Sequence, residues 1–163
     1  MSDSSNLDLL NDPIARELLE SSLPAQLAYV ARDGTPRVVP IWFLWNGSEI
    51  VMGTPPGAAK VKALSRNPKV ALTINGDVWP FKVLQIRGTA NVSTVKGISP
   101  DYAACARRYF GEEAGQAWCD QVGGLFPEMT RIAVRPESVS ILDFQTRFPS
   151  EIAKAMAGAG ASA

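Results

Sequence analysis

Thr54, Lys60 and Lys62 are the residues whose types and spacing first suggest chemistry. Thr54 and Lys60 stand six residues apart, joined by a Pro-Pro-Gly loop that opens a short basic helix. A hydroxyl and an ammonium so placed are donors for an anion, and a phosphate suits them best. The first turn of a helix adds unpaired N–H groups and the positive end of the dipole. Lys60 and Lys62 lie about 200° apart around a helix, so only one reaches the anion directly. Lys60, nearer the helix start, is the preferred ligand and Lys62 a second-rank contact. Upstream, residues 37–45 are apolar across both faces of a strand, which implies cover on both sides. Pro40 cannot donate to a ladder and belongs at an edge or an interruption, where neighbouring backbone groups are free. A flat ligand could lie there, and an ordinary buried strand with an edge proline fits the same pattern. Trp79, in the loop before the longest strand, could stack on a ring or simply close the end of a barrel.

Other chemistries are closed off by composition. The chain has no histidine, and its two cysteines, Cys105 and Cys119, lack Cys-x-x-Cys spacing. Conventional zinc sites, Ser-His-Asp and Cys-His nucleophile systems and the usual haem ligand therefore drop out. The cysteines read as small part-buried thiols. Sixteen basic residues balance sixteen acidic ones, so no global field draws nucleic acid or an anionic membrane. Neither a basic, apolar leader nor an apolar run near the roughly 18 residues of a spanning helix is present, and a soluble cytoplasmic protein is expected.

The elements that must position these residues follow in order. Asp12-Pro13 starts a helix whose apolar face is Ile14, Leu18 and Leu19. Strands are expected at 26–31, 37–45 and 49–54, joined at Asp33-Gly34 and by a type I′ turn at Asn46-Gly47. A helix over 58–66 stops before Asn67-Pro68, and strands follow at 69–75 and 81–93. Gly88 in the latter marks a bulge or a tight bend. Ser99-Pro100 opens a helical pair, and strands at 129–134 and 138–144 flank Arg135-Pro136-Glu137. The pattern is mainly β (α+β): a small barrel of six to seven antiparallel strands in one domain, 1–152. The Ala- and Gly-rich tail, 153–163, is expected to fray.

These residues resemble the flavin-binding split barrels related to pyridoxamine 5′-phosphate oxidase, including their deazaflavin-dependent branch. The hairpin Asp33-Gly34-Thr35-Pro36-Arg37-Val38-Val39-Pro40-Ile41-Trp42, the Thr54 and Lys60 pair, and Leu64-x-x-Asn67-Pro68-x-Val70 carry the likeness, which covers about residues 27–95. It implies an antiparallel split β-barrel with short flanking helices, assembled as a homodimer. It further implies that Arg37, Val38, Val39 and Pro40 lie along the isoalloxazine ring and that Thr54 and Lys60 hold the ribityl phosphate. Arg37 would supply positive potential near the ring, and Trp79 would sit near the partner subunit's cofactor. The chain departs from the oxidases proper at Ala59, where they carry a basic residue, and it lacks their C-terminal signature for substrate phosphate. Haem-binding relatives need a histidine that is absent here.

The implied function is hydride transfer between bound FMN, or the deazaflavin F420, and a small conjugated substrate such as a quinone. Catalysis would take place on the cofactor without an acid-base side chain. Basic residues outside the phosphate pocket, among them Lys62 and Arg66, would suit the acidic tail of F420. Two other readings share parts of the pattern: a non-catalytic flavin-binding stress or sensor protein, and a small-ligand barrel without flavin.

Overall fold

The computed structural model describes residues 6–160. Segment 1–5, where no leader is expected, and 161–163, the end of the expected tail, lie outside the described residues. Seven strands form one antiparallel sheet: β1 Ala25–Val30, β2 Pro36–Ile41, β3 Leu44–Trp45, β4 Ile50–Thr54, β5 Lys69–Asn75, β6 Val83–Lys96 and β7 Glu128–Leu142. Their spatial order is β2-β1-β5-β6-β7-β4-β3. The long strands β6 and β7 pair from Val83 with Leu142 to Lys96 with Glu128. The first half of β6 also holds β5, and the first half of β7 holds β4. The sheet is a split barrel of the expected class, not closed, with β2 and β3 at its two edges. Around it lie α1 Pro13–Glu20, α2 Ala59–Leu64, α3 Pro100–Phe110, α4 Glu112–Leu125 and α5 Ser150–Gly160.

Alternation decides what is inside. Leu27, Leu72, Ile74, Leu84, Ile86 and Ile132 fill the main core, and α1 closes one side of it with Ala15, Leu18 and Leu19. Asp12 caps α1, accepting from Ile14 N at 2.9 Å. A second, smaller core lies under α3 and α4, where Tyr102, Ala106, Cys119, Val122 and Met129 meet. Both cysteines are free and buried. Every residue of α5 is exposed, including Ile152 and Met156.

Four local expectations are corrected. The strand expected over 37–45 breaks at Trp42-Phe43, where Phe43 turns fully inward and its carbonyl accepts from Arg108. The strands expected on either side of Pro136 are one. β7 has its last β4 partner at Val134, so the proline falls where that side of the ladder is already free. Gly88, by contrast, marks a bulge as expected: the pairing slips between Arg87 and Gly88, and a Cβ at Gly88 would stand 2.2 Å from the Arg135 carbonyl oxygen, which is why glycine is needed there. At Asn46-Gly47 only the glycine takes positive φ, +97°, so the turn is not type I′. Asn46 instead accepts from Ser48 N and Glu49 N through Oδ1. The fourth is length: α2 is shorter than 58–66, ending at Leu64.

Candidate functional site

Residues 37–40 do not share a face. Arg37 and Val39 stand opposite Tyr29 and Leu27 on the core side, while Val38 and Pro40 stand opposite Ala28 and Gln26 on the outside. Val38 is 63% exposed. Because β2 pairs only with β1 among the described residues, Pro40 sits on an edge strand, as its missing N–H requires. The Arg37 guanidinium is engaged within its own hairpin, 3.2 Å from the Asp33 carboxylate and donating to the Thr35 hydroxyl.

Thr54 closes β4 opposite Thr130, and both are buried. Its hydroxyl has no hydrogen-bond partner among the described residues. The chain then turns through Gly57, at φ +81°, and enters α2 with no side-chain cap at Ala58. Lys60 is half-buried and, among the described residues, has neither an acidic partner nor a hydrogen bond. Burial alone pushes its pKa below the ordinary lysine value. Lys62 is exposed, so the two lysines do face different ways.

Of the expected site residues, Pro40 lines a hollow whose lining includes neither Thr54 nor Lys60. Pro40, Ile41 and Trp42 form one side, Gly53 and Pro55 flank Thr54 on another, and Pro24, Tyr102 and Trp118 complete a space of about 400 Å³. Its aromatic wall is rigidly held. Trp42 stacks on Tyr109 at 5.1 Å and meets Phe110 edge-on at 4.9 Å. Trp118 donates from Nε1 to the Tyr102 hydroxyl oxygen at 2.9 Å. Behind the wall, Arg108 donates to the Leu19 and Phe43 carbonyls and lies 4.9 Å from the centre of the Phe43 ring.

Trp79 is elsewhere. It is 65% exposed, packs edge-on to Phe81 at 5.4 Å, and lines a groove with Leu18, Leu23 and Val78 that has no residue in common with the Pro40 hollow. A larger polar cleft of about 560 Å³, lined by Glu49, Thr89, Asn91 and Arg135 among others, contains none of the expected site residues. Among the described residues no cluster of His, Cys, Asp or Glu could hold a metal ion, and no helix is long and apolar enough to cross a membrane.

Tyr102 and Trp118 were not among the expected site residues. The signal available was the spacing of Tyr102, Tyr109 and Phe110, which puts three rings on neighbouring faces of one helix behind a Ser99-Pro100 start. Nothing local says that this face meets Trp42.

No curated protein sequence matches the chain significantly. Among solved structures, an F420 reductase is 27% identical and superposes over 77% of this chain and 94% of its own, with a TM-score of 0.61. A conserved hypothetical protein from Mycobacterium tuberculosis is 19% identical over 79% of this chain and 82% of its own, at 0.62. The haem storage protein HutZ from Vibrio cholerae is 22% identical over 81% and 93%, at 0.58. The last two speak for the fold alone. The sequence model of pyridoxamine 5′-phosphate oxidase matches residues 12–143, the whole sheet together with α1 to α4, and the chain belongs to that family.

Proposed function

We propose that the chain is an oxidoreductase that holds FMN, or the deazaflavin F420, and transfers hydride between that ring and a small conjugated organic molecule. The observation that carries this reading is Lys60, a half-buried ammonium with no counter-ion among the described residues, one loop away from Thr54, a buried residue whose hydroxyl has no partner among them. A desolvated cation without a partner is costly unless an anion completes it. A phosphate group is the anion these donors fit. The family match and the 27% identical F420 reductase support the same assignment.

When bound, the cofactor would supply the hydride chemistry. Lys60 and Thr54 would hold its phosphate. The β2 edge at Val38 and Pro40 offers backbone groups and an apolar surface for the ring, and the hollow beside it keeps water away from one side. Lys62 and Arg66 are exposed near α2, where they could meet the acidic tail of F420. A second copy of the chain is the proposed cover for the outer face of β2, β1 and β5. There Val38, Ala28 and Ala71 stand in one row of small apolar residues.

The absorption spectrum of the protein as purified tests the cofactor. A band near about 450 nm is expected for oxidised flavin and near about 420 nm for the deazaflavin. Turnover of the reduced cofactor by an added quinone tests the reaction. A cofactor that binds but stays inert to every donor and acceptor tried would make the protein a non-catalytic binder. Colourless protein that binds neither cofactor would overturn the proposal.

A further inference from the structure

We propose that the hollow walled by Pro40, Trp42, Gly53, Tyr102 and Trp118 binds a flat, uncharged conjugated carbonyl compound, whose oxygen accepts a hydrogen bond from the Tyr102 hydroxyl. Its role as the site of the reducible substrate rests on the oxidoreductase reading above. Binding itself does not.

Tyr102 is 9% exposed, and its ring lies directly over Gly53. Trp118 Nε1 has only a proton to offer, so the Tyr102 oxygen must be the acceptor in that 2.9 Å bond. The hydroxyl proton is left over, and among the described residues nothing accepts it. That proton is free for an acceptor in the hollow that Tyr102 lines, and a ligand oxygen satisfies it. Burial also raises the Tyr102 pKa, which keeps the group protonated and a donor in neutral solution.

The rest of the lining selects among acceptors. None of the residues around the hollow is charged, so nothing there would compensate a carboxylate, a phosphate or an ammonium group. Indole, phenol and proline rings provide broad apolar surface, and about 400 Å³ is within the range of small-molecule pockets. Trp42 is fixed by Tyr109 and Phe110, and Trp118 meets Phe110 at 5.8 Å, so the slot exists before the ligand arrives. Apolar walls with one protonated hydroxyl describe a ring that bears a carbonyl. Pro40, shared with the β2 edge, places that ring beside the proposed cofactor strand.

The test is calorimetric titration of the full-length protein, without added cofactor, with 2,3-dimethyl-1,4-naphthoquinone and with 2,3-dimethylnaphthalene. The quinone is blocked on both ring carbons against thiol addition, and the hydrocarbon is its carbonyl-free twin. The quinone should bind more tightly than the hydrocarbon by about three- to tenfold, the worth of one hydrogen bond. Tyr102→Phe keeps the ring over Gly53 and should remove that preference while leaving hydrocarbon affinity unchanged. A thermal melt confirms that the variant folds, and Trp118→Phe, which frees the Tyr102 oxygen, should retain a quinone preference. Equal affinities for both compounds, a preference that survives Tyr102→Phe, or no binding of either would overturn the proposal. Because no cofactor is present, those results leave the flavin reading untouched, whereas failure to bind FMN or F420 leaves the hollow untouched.

Discussion

Gly53 lies beneath the ring of Tyr102, so close that a Cβ there would stand 2.4 Å from Cδ2. The absence of a side chain lets α3 settle onto β4 and brings the aromatic wall to the edge of the site. Gly53→Ala should therefore cost about 1–3 kcal/mol by overpacking. A thermal melt reads the loss, and a change in tryptophan emission reads the displaced wall, since Tyr102 is bonded to Trp118.

Lys60 is expected to lower the stability of the ligand-free chain. Its pKa in the folded protein lies below the unfolded value of 10.5, so within that interval the unfolded chain binds more protons and stability rises with pH. Lys60→Met keeps the buried stem and removes the charge. It should leave the ligand-free protein equally or more stable at neutral pH and should flatten the alkaline rise. Urea melts between neutral pH and 10.5 check both.

Asp12 does two jobs, capping α1 and receiving the Arg147 guanidinium at 2.6 Å. The hydrogen bond from Arg147 is the main reason its pKa is depressed below 3.8. The associated stability is complete above 3.8 and is lost as pH falls through the lower, folded value. Asp12→Ala should cost about 1–2 kcal/mol, mostly from the lost cap. Asp12→Asn, which keeps a capping oxygen, should cost less than about 1 kcal/mol, because Arg147 is partly solvated. Acid titrations of the two variants should both show a weaker acid limb than the parent.

Arg108 joins three elements, reaching the Leu19 carbonyl from α3, the Phe43 carbonyl at the strand break, and the Phe43 and Tyr109 rings. Arg108→Met would leave both carbonyls short of a donor, at an expected cost of about 2–3 kcal/mol in a denaturant melt. Arg108→Lys should rescue little, since a single ammonium cannot span both carbonyls and lie over the rings.

Much of this arrangement is legible locally. Asp12-Pro13 and Ser99-Pro100 each carry their own start signal, and both residues cap as read. Pro40 announces an edge because it lacks a donor, and Gly88 announces a distortion because it lacks a side chain. What escapes is set by partners distant in the chain. The break after Ile41 depends on Arg108, and the continuity of β7 through Pro136 depends on where β4 happens to end. The aromatic wall has the same cause, for Tyr102 and Trp118 reach Trp42 only once α3 and α4 dock. The Lys60 and Lys62 difference, by contrast, follows from helical geometry and appears as one half-buried and one exposed side chain.

The most direct measurement is fluorescence titration of FMN and of F420 against the parent protein and the Lys60→Met variant. The parent should bind at least one of the two saturably. The variant should bind it about ten- to a hundredfold more weakly, the loss of a charge-assisted contact to phosphate. Equal affinity in parent and variant, or no binding of either cofactor by the folded parent, would contradict the placement of a phosphate at Thr54 and Lys60.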